Sequence, residues 1–331
     1  MDKPDITPRE YEDLASHRFG VAHPERIENV VWEWMVRAGH SAYSGRCAYG
    51  IESDYALCPT WCFDRFGMSR TVLADGRTVC IAGEHEDFYD PDFCIYNDVI
   101  ILHPGGAVEI FGYPREEFPP TDFHTATLVG DRIVLIGSLG YQNERHPGVT
   151  PVMSLDLSTL RITRLETTGT PPGWIFRHQA LLEPDGDAIR VLGGQVEVKQ
   201  DGKSAHIRNL SQHRLDLLTM HWTVLADGSI WRQFAVRCCD DDFMEIWDLG
   251  KVFEEWATRP AQSSGDEDDF EAWRRFECEI EGVPVVLHLE ANRVHVVIQG
   301  TVEDATSARI EQQIVNAVEA ALSTPCTVVR Y

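Results

Sequence analysis

The stretch His124-Thr125-Ala126-Thr127-Leu128-Val129-Gly130-Asp131-Arg132-Ile133-Val134-Leu135-Ile136-Gly137 decides the fold. Two runs of β-branched and aliphatic residues flank Gly130-Asp131, a pair suited to a tight hairpin, and a glycine ends the second run. The pattern returns downstream as His178-Gln179-Ala180-Leu181-Leu182, a turn at 183–187, and Ile189-Arg190-Val191-Leu192-Gly193-Gly194. Upstream it reads Ser69-Arg70-Thr71-Val72-Leu73, a turn around Asp75-Gly76, and Thr78-Val79-Cys80-Ile81-Ala82-Gly83. The closing glycines at 83, 137 and 193 recur at intervals near 55 residues. A recurrence at that spacing is the mark of a repeat architecture.

Each copy continues alike. A long polar loop leads to an apolar strand at 99–102, 152–157 or 214–217, followed by a turn and a closing strand at 107–111, 160–165 or 220–225. A four-stranded meander of this kind cannot bury both faces alone, and radial stacking of such sheets is the solution a β-propeller uses. The fold expected is mainly β: a propeller with at least three four-stranded repeats, N-terminal helices and a small C-terminal α+β unit.

The copies resemble kelch repeats, whose pattern is a His-Ser/Thr-Ala start, a strand ending in Gly-Gly, and a later closing strand. His124-Thr125-Ala126, His178-Gln179-Ala180 and Gly193-Gly194 carry the resemblance. The first copy departs from it, reading Ser69 at the histidine and Gly83-Glu84 at the glycine pair, and the second has a single glycine, Gly137-Ser138. The resemblance covers about half the chain. It implies the propeller fold and singles out no function, since kelch propellers serve as adaptors, receptors and enzymes alike.

Around the repeats, 1–62 reads as a helical docking segment. Thr7-Pro8-Arg9-Glu10 has capping-box form, and a second helix is expected from Pro24 to about Ala38, closed by Gly39. The repeats occupy 63–237, an acidic connector with aromatics 238–274, and the α+β unit 275–331, with a helix from about Asp304 to Leu322 and a last strand from Cys326.

The 331 residues hold 53 Asp and Glu against 29 Lys and Arg, a net charge of −24, with only four lysines. Neither nucleic acid nor an anionic membrane suits such a surface. Residues 240–281 concentrate fifteen carboxylates against four basic groups. With no signal-like N-terminus, no long apolar run, and nine cysteines lacking a framework, a cytoplasmic chain with reduced thiols is expected.

The acidic connector suggests a protein partner with a basic surface, met by Asp240, Asp241, Asp242, Asp266, Glu267, Asp268 and Asp269 beside Trp273. One form of this is an immunity or antitoxin-type inhibitor. The alternative is an enzyme, or a metal- or sugar-binding propeller, using the central loops. Its candidates are Glu84, His85, Asp87, Tyr89, Asp90 and Asp92 in the first loop, Tyr141, Arg145 and His146 in the second, and Arg177.

His124 and His178 hold equivalent positions and are expected to bond backbone near the strand start; a channel-lining acid–base pair is the alternative. The first loop offers oxygens for a hard cation, but fits neither an EF-hand nor His-Glu-x-x-His, so a solvated loop is expected. No cofactor is expected: no phosphate loop, dinucleotide fingerprint or nucleophile elbow is present.

Overall fold

A computed structural model describes residues 3–85, 90–200, 203–228, 231–238, 246–264, 273–290 and 293–331. The chain is mainly β, with several antiparallel sheets and a few helices. It divides into two compact units, Met1–Ala226 and Asp227–Tyr331.

The first unit begins with helices α1 (Pro8–Ala15), α2 (Val30–Ala38) and α3 (Ala42–Ala48). Thr7 and Glu10 form the capping box, and Gly39 closes α2 in the left-handed conformation. α2 starts later than Pro24, because Asn29 caps it through its side chain, accepting from Val31 and Trp32 N–H. Upstream, Glu25–Arg26 extends a sheet by pairing with Gly112 and Phe111.

Three four-stranded meanders follow. The first contains Ser69–Val72, Thr78–Ile81, Val99–Leu102 and Val108–Gly112. The second contains Thr125–Val129, Arg132–Ile136, Val152–Asp156 and Ile162–Arg164. The third contains Gln179–Leu182, Ala188–Leu192, Gln212–Asp216 and His221–Ala226, and a hairpin, Gln195–Gln200 with Lys203–Arg208, is inserted at its centre. Among the described residues these sheets number three, fewer than the four or more blades of a typical closed ring.

Because side chains alternate, each strand faces both ways. Val79 and Ile81 of the first sheet pack with Ile133, Leu135 and Met153 of the second. Cys80, Ile100 and Ile110 face the other way, onto Tyr11, Trp32, Trp34 and Trp61 of the helical segment, where Trp32 stacks on Trp61 at 4.5 Å. Val134, Ile136 and Val152 pack with Ile189, Val191, Leu215 and Trp222 of the third sheet.

The pairing register also sets the repeat alignment. Ser69 faces Ile81, Thr125 faces Ile136, and Gln179 faces Leu192. Ser69, Thr125 and Gln179 are therefore equivalent, and Met68 holds the place of His124 and His178. The first repeat is thus offset by one residue from the sequence reading, and its glycine pair is Ala82-Gly83. Ala82 carries the left-handed φ of 54° that Gly137 and Gly193 carry in the other copies.

A seam joins the repeats at their first strands. Phe123 N–H donates to Gly67 C=O and Arg177 N–H to Phe123 C=O, both left-handed positions among the repeats. Beside it, the His124 ring is hydrogen-bonded to Ser69 Oγ at 2.8 Å and the His178 ring to Thr125 Oγ1 at 3.0 Å.

The second unit is a six-stranded antiparallel sheet in the order Gln262–Ser264, Trp273–Ile280, Val283–Glu290, Arg293–Ile298, Arg232–Cys238, Cys326–Arg330. Helices α4 (Ile246–Glu254) and α5 (Asp304–Leu322) supply Leu249, Phe253, Ile310, Ile314 and Val318 to its core. The division at 226/227 differs from the boundary read at 237/238, because Arg232–Cys238 pairs with Arg293–Ile298 and Cys326–Arg330, partners far away in sequence. Among the described residues no helix is long and apolar enough to cross a membrane, and the eight described cysteines are free thiols.

A test of the sheet packing follows from two glycines of the second sheet. A Cβ on Gly137 would meet Ile175 O at 2.2 Å, whereas one on Gly130 meets nothing within 4 Å, and both have positive φ. Gly130→Ala should cost only the left-handed strain, about 1 kcal/mol. Gly137→Ala adds a backbone clash and should cost at least ~2 kcal/mol in urea denaturation. Equal losses would contradict the packing described.

Candidate functional site

At one end of the three sheets, the described parts of the loops leaving the second strands gather: 82–85 and 90–98, 137–151, and 193–200 and 203–211. The repeat period brings them together, since each starts at the same register position of its sheet. Tyr141 ties two of them, its hydroxyl accepting from Ile95 N–H at 2.9 Å.

Between the second of these loops and the segment 114–121 lies a cleft of about 400 Å³. Pro119, Pro120 and Pro151 contribute rigid walls, and Trp174 offers its ring. The indole is fixed, because Nε1 donates to Leu139 O at 3.0 Å while Glu197 N–H donates to Trp174 O at 2.9 Å. Leu135 pairs directly with Met153, and Met153 with Arg164, so the floor is one cross-strand row. Arg115, Glu116, Glu144 and His146 stand at the rim, so it carries both signs of charge. Arg115 is ion-paired with Glu144 and lies over the rings of Phe19 and Tyr141, so its guanidinium is already engaged.

Behind the cleft sits a buried polar group. Asp122 is fully buried; its Oδ1 accepts from Gly140 N–H at 2.6 Å and from Ser138 Oγ at 3.2 Å. Ser138 and Gly140 both line the cleft, so Asp122 holds that wall in place. Glu84 lies against Asp122. Burial and the Asp122 carboxylate push Glu84 up to about 8, and burial raises Asp122 as well. The pair therefore holds a proton near neutrality, since two adjacent buried carboxylates resist ionising together.

Arg145 donates to Gly140 O and to Glu197 Oε2 at 3.2 Å. His206 Nε2 lies 2.9 Å from the same Glu197 oxygen. Burial opposes the charge on Glu197, but hydrogen bonds from Ser204 and Arg145 outweigh it and hold the carboxyl below its ordinary value.

The structure gathers Glu84, Tyr141, Arg145 and His146 of the sequence-read candidates around this end. His146 is exposed at the rim, with its ring edge-on to Trp174. Arg177 is exposed, with its guanidinium 4.3 Å from the Phe123 ring centroid. His85 and Asp92 are buried, not solvated: His85 N–H donates to Cys94 O, and Asp92 accepts from Ala56 N–H at 2.8 Å. That corrects the reading of this loop as wholly solvent-facing. Asp90 is partly buried and its carbonyl accepts from Phe93 N–H.

His124 and His178 do not face a channel. Both are buried in the seam, and burial pushes them down to about 4 and about 3, so they stay neutral. Their ring partners are neighbouring hydroxyls, not the backbone groups expected.

Trp273 lies on a strand of the second unit, against the His288 ring at 5.1 Å. Asp87, Tyr89, Asp240, Asp241, Asp242, Asp266, Glu267, Asp268 and Asp269 lie outside the described residues. Sequence reading missed Asp122, Ser138, Arg115, Arg164 and Trp174. Asp122 had a local signal, standing two residues before the repeat histidine. Among the described residues no group of three or more His, Cys, Asp or Glu is arranged to hold a metal.

No family model matches the chain, and no curated protein matches it.

The carboxyl pair gives a pH test. With Glu84 raised from 4.5 to about 8, its stabilising contribution is complete below the unfolded value and is lost as pH rises through 8. Urea denaturation from pH 5 to 9 should show stability falling with pH in the native chain, and a flatter profile in Glu84→Gln. Parallel profiles would contradict the shared proton.

Proposed function

We propose that this chain is a binding module on a kelch-like, propeller-type row of sheets, which receives a protruding group of a protein partner in the cleft beside Trp174. The observation carrying this reading is the cleft itself: an apolar floor and proline walls behind a charged rim, between the second repeat loop and the segment 114–121. Concave apolar sites with a few placed polar groups are the usual form of ligand sites, and pockets of this kind hold the anchor residues of protein interfaces. The net charge of −24 supports a partner with a basic surface, drawn in by long-range attraction. Stacked repeat sheets suit the role, since their loops vary without disturbing the core.

Selection of displayed random peptides on the purified chain tests the proposal. Selected peptides should be rich in Lys or Arg beside an apolar residue. Their affinity should fall at least about tenfold in Trp174→Ala, the loss expected of an interface anchor. It should also fall in His146→Trp, which fills the mouth from an exposed position. Association should slow as salt rises from 50 to 500 mM. Peptides that bind both variants as well as the native chain would overturn the assignment.

A further inference from the structure

The cleft floor is chemically directional. Leu135, Met153 and Arg164 stand in one cross-strand row, so an apolar surface runs into a guanidinium at the edge strand Ile162–Arg164. The two rim arginines differ. Arg115 is ion-paired with Glu144 and lies over the Phe19 and Tyr141 rings. Arg164 is exposed and has no ion-pair partner among the described residues, in a chain with nearly twice as many acids as bases. Pro119 and Pro151 offer the accessible apolar surface, Leu135 and Met153 beneath them being only 2% and 7% exposed, while Arg164 offers a forked donor to a planar anion.

Resting on the binding-module reading, we infer that the cleft captures the free C-terminal residue of its partner, seating an apolar last side chain against Pro119 and Pro151 and its α-carboxylate on Arg164. A basic partner carries this carboxylate whatever its net charge, so attraction to the acidic chain and capture by Arg164 act on different parts of the same molecule. Terminal carboxylate capture combined with a side-chain pocket is a known way of recognising chain ends.

The probes are acetyl-Gly-Leu and acetyl-Gly-Phe, each as free acid and as C-terminal amide, titrated by NMR on the full chain. The acids should bind about tenfold more tightly than the amides, the gain of one charge-assisted pair. Arg164→Gln should bring the acids down to the amide level and leave the amides unchanged, and His146→Trp should weaken all four. Arg164 is exposed, so the variant should fold, and its amide affinity serves as the internal control.

Acid and amide binding equally, with both lost in His146→Trp, would overturn the carboxylate assignment and leave the binding cleft standing. Peptides that bind the native chain and His146→Trp alike would overturn both. 4-Phenylbutyrate binding through Arg164 while neither peptide acid binds would assign the cleft to small carboxylates and overturn the chain-end proposal. No binding by any probe at millimolar concentration would also overturn it.

Discussion

The seam between first strands is the constraint on which the rest of the first unit depends. Phe123 N–H reaches Gly67 C=O and Arg177 N–H reaches Phe123 C=O, each from a left-handed backbone turn. Non-glycine residues pay for that conformation, so Phe123 and Arg177 are held there by their surroundings. The histidine rings lock the same junction from the side, each hydrogen-bonded to a hydroxyl of the preceding repeat. Burial keeps both rings neutral, so neither adds a buried charge to the seam. Because successive sheets are fixed at this line, the loop leaving the second strand of the middle sheet is held against 114–121, and the cleft lies between them.

The first and third sheets differ in what covers the side chains turned away from the second. The first sheet is covered by α2 and the Trp32–Trp61 stack, which turn the outward side chains of Cys80, Ile100 and Ile110 into core. The third sheet ends differently: Arg190 and Arg214 both pair with Glu183 on its outer side, and Arg214 also reaches Asp187 and Asp216. The acidic excess of the chain is therefore partly structural here, with carboxylates engaged by arginine.

Much of this was legible locally. The glycine spacing gave the repeat, Thr7 and Glu10 the first helix cap, and the apolar stripe of α5 its full length, since each depends on residues within a few turns or one hairpin. A further local signal was overlooked: Asp156 and Asp216 both precede the closing strand and cap its turn, accepting from Ser158 and Thr159 or from Leu218 and Thr219. The first repeat was read one residue out of step because Ala82 adopts the glycine conformation without being glycine. Met68 at the histidine position gave no cue either. The site was less legible. Glu84 and Asp122 come from different loops, and Arg164 matters only because strand pairing sets it beside Met153. The strand Arg232–Cys238 likewise finds its sheet through partners about sixty and ninety residues away.

Amide hydrogen exchange at Phe123 and Arg177 tests the central claim most directly. If the seam fixes the sheets and thereby the cleft, both amides should exchange only through global unfolding, as slowly as Val134 and Leu135 in the middle of the second sheet. Exchange of Phe123 and Arg177 at the rate of exposed turn amides, with the sheet centres still protected, would show that the sheets fold without the seam and would contradict the account.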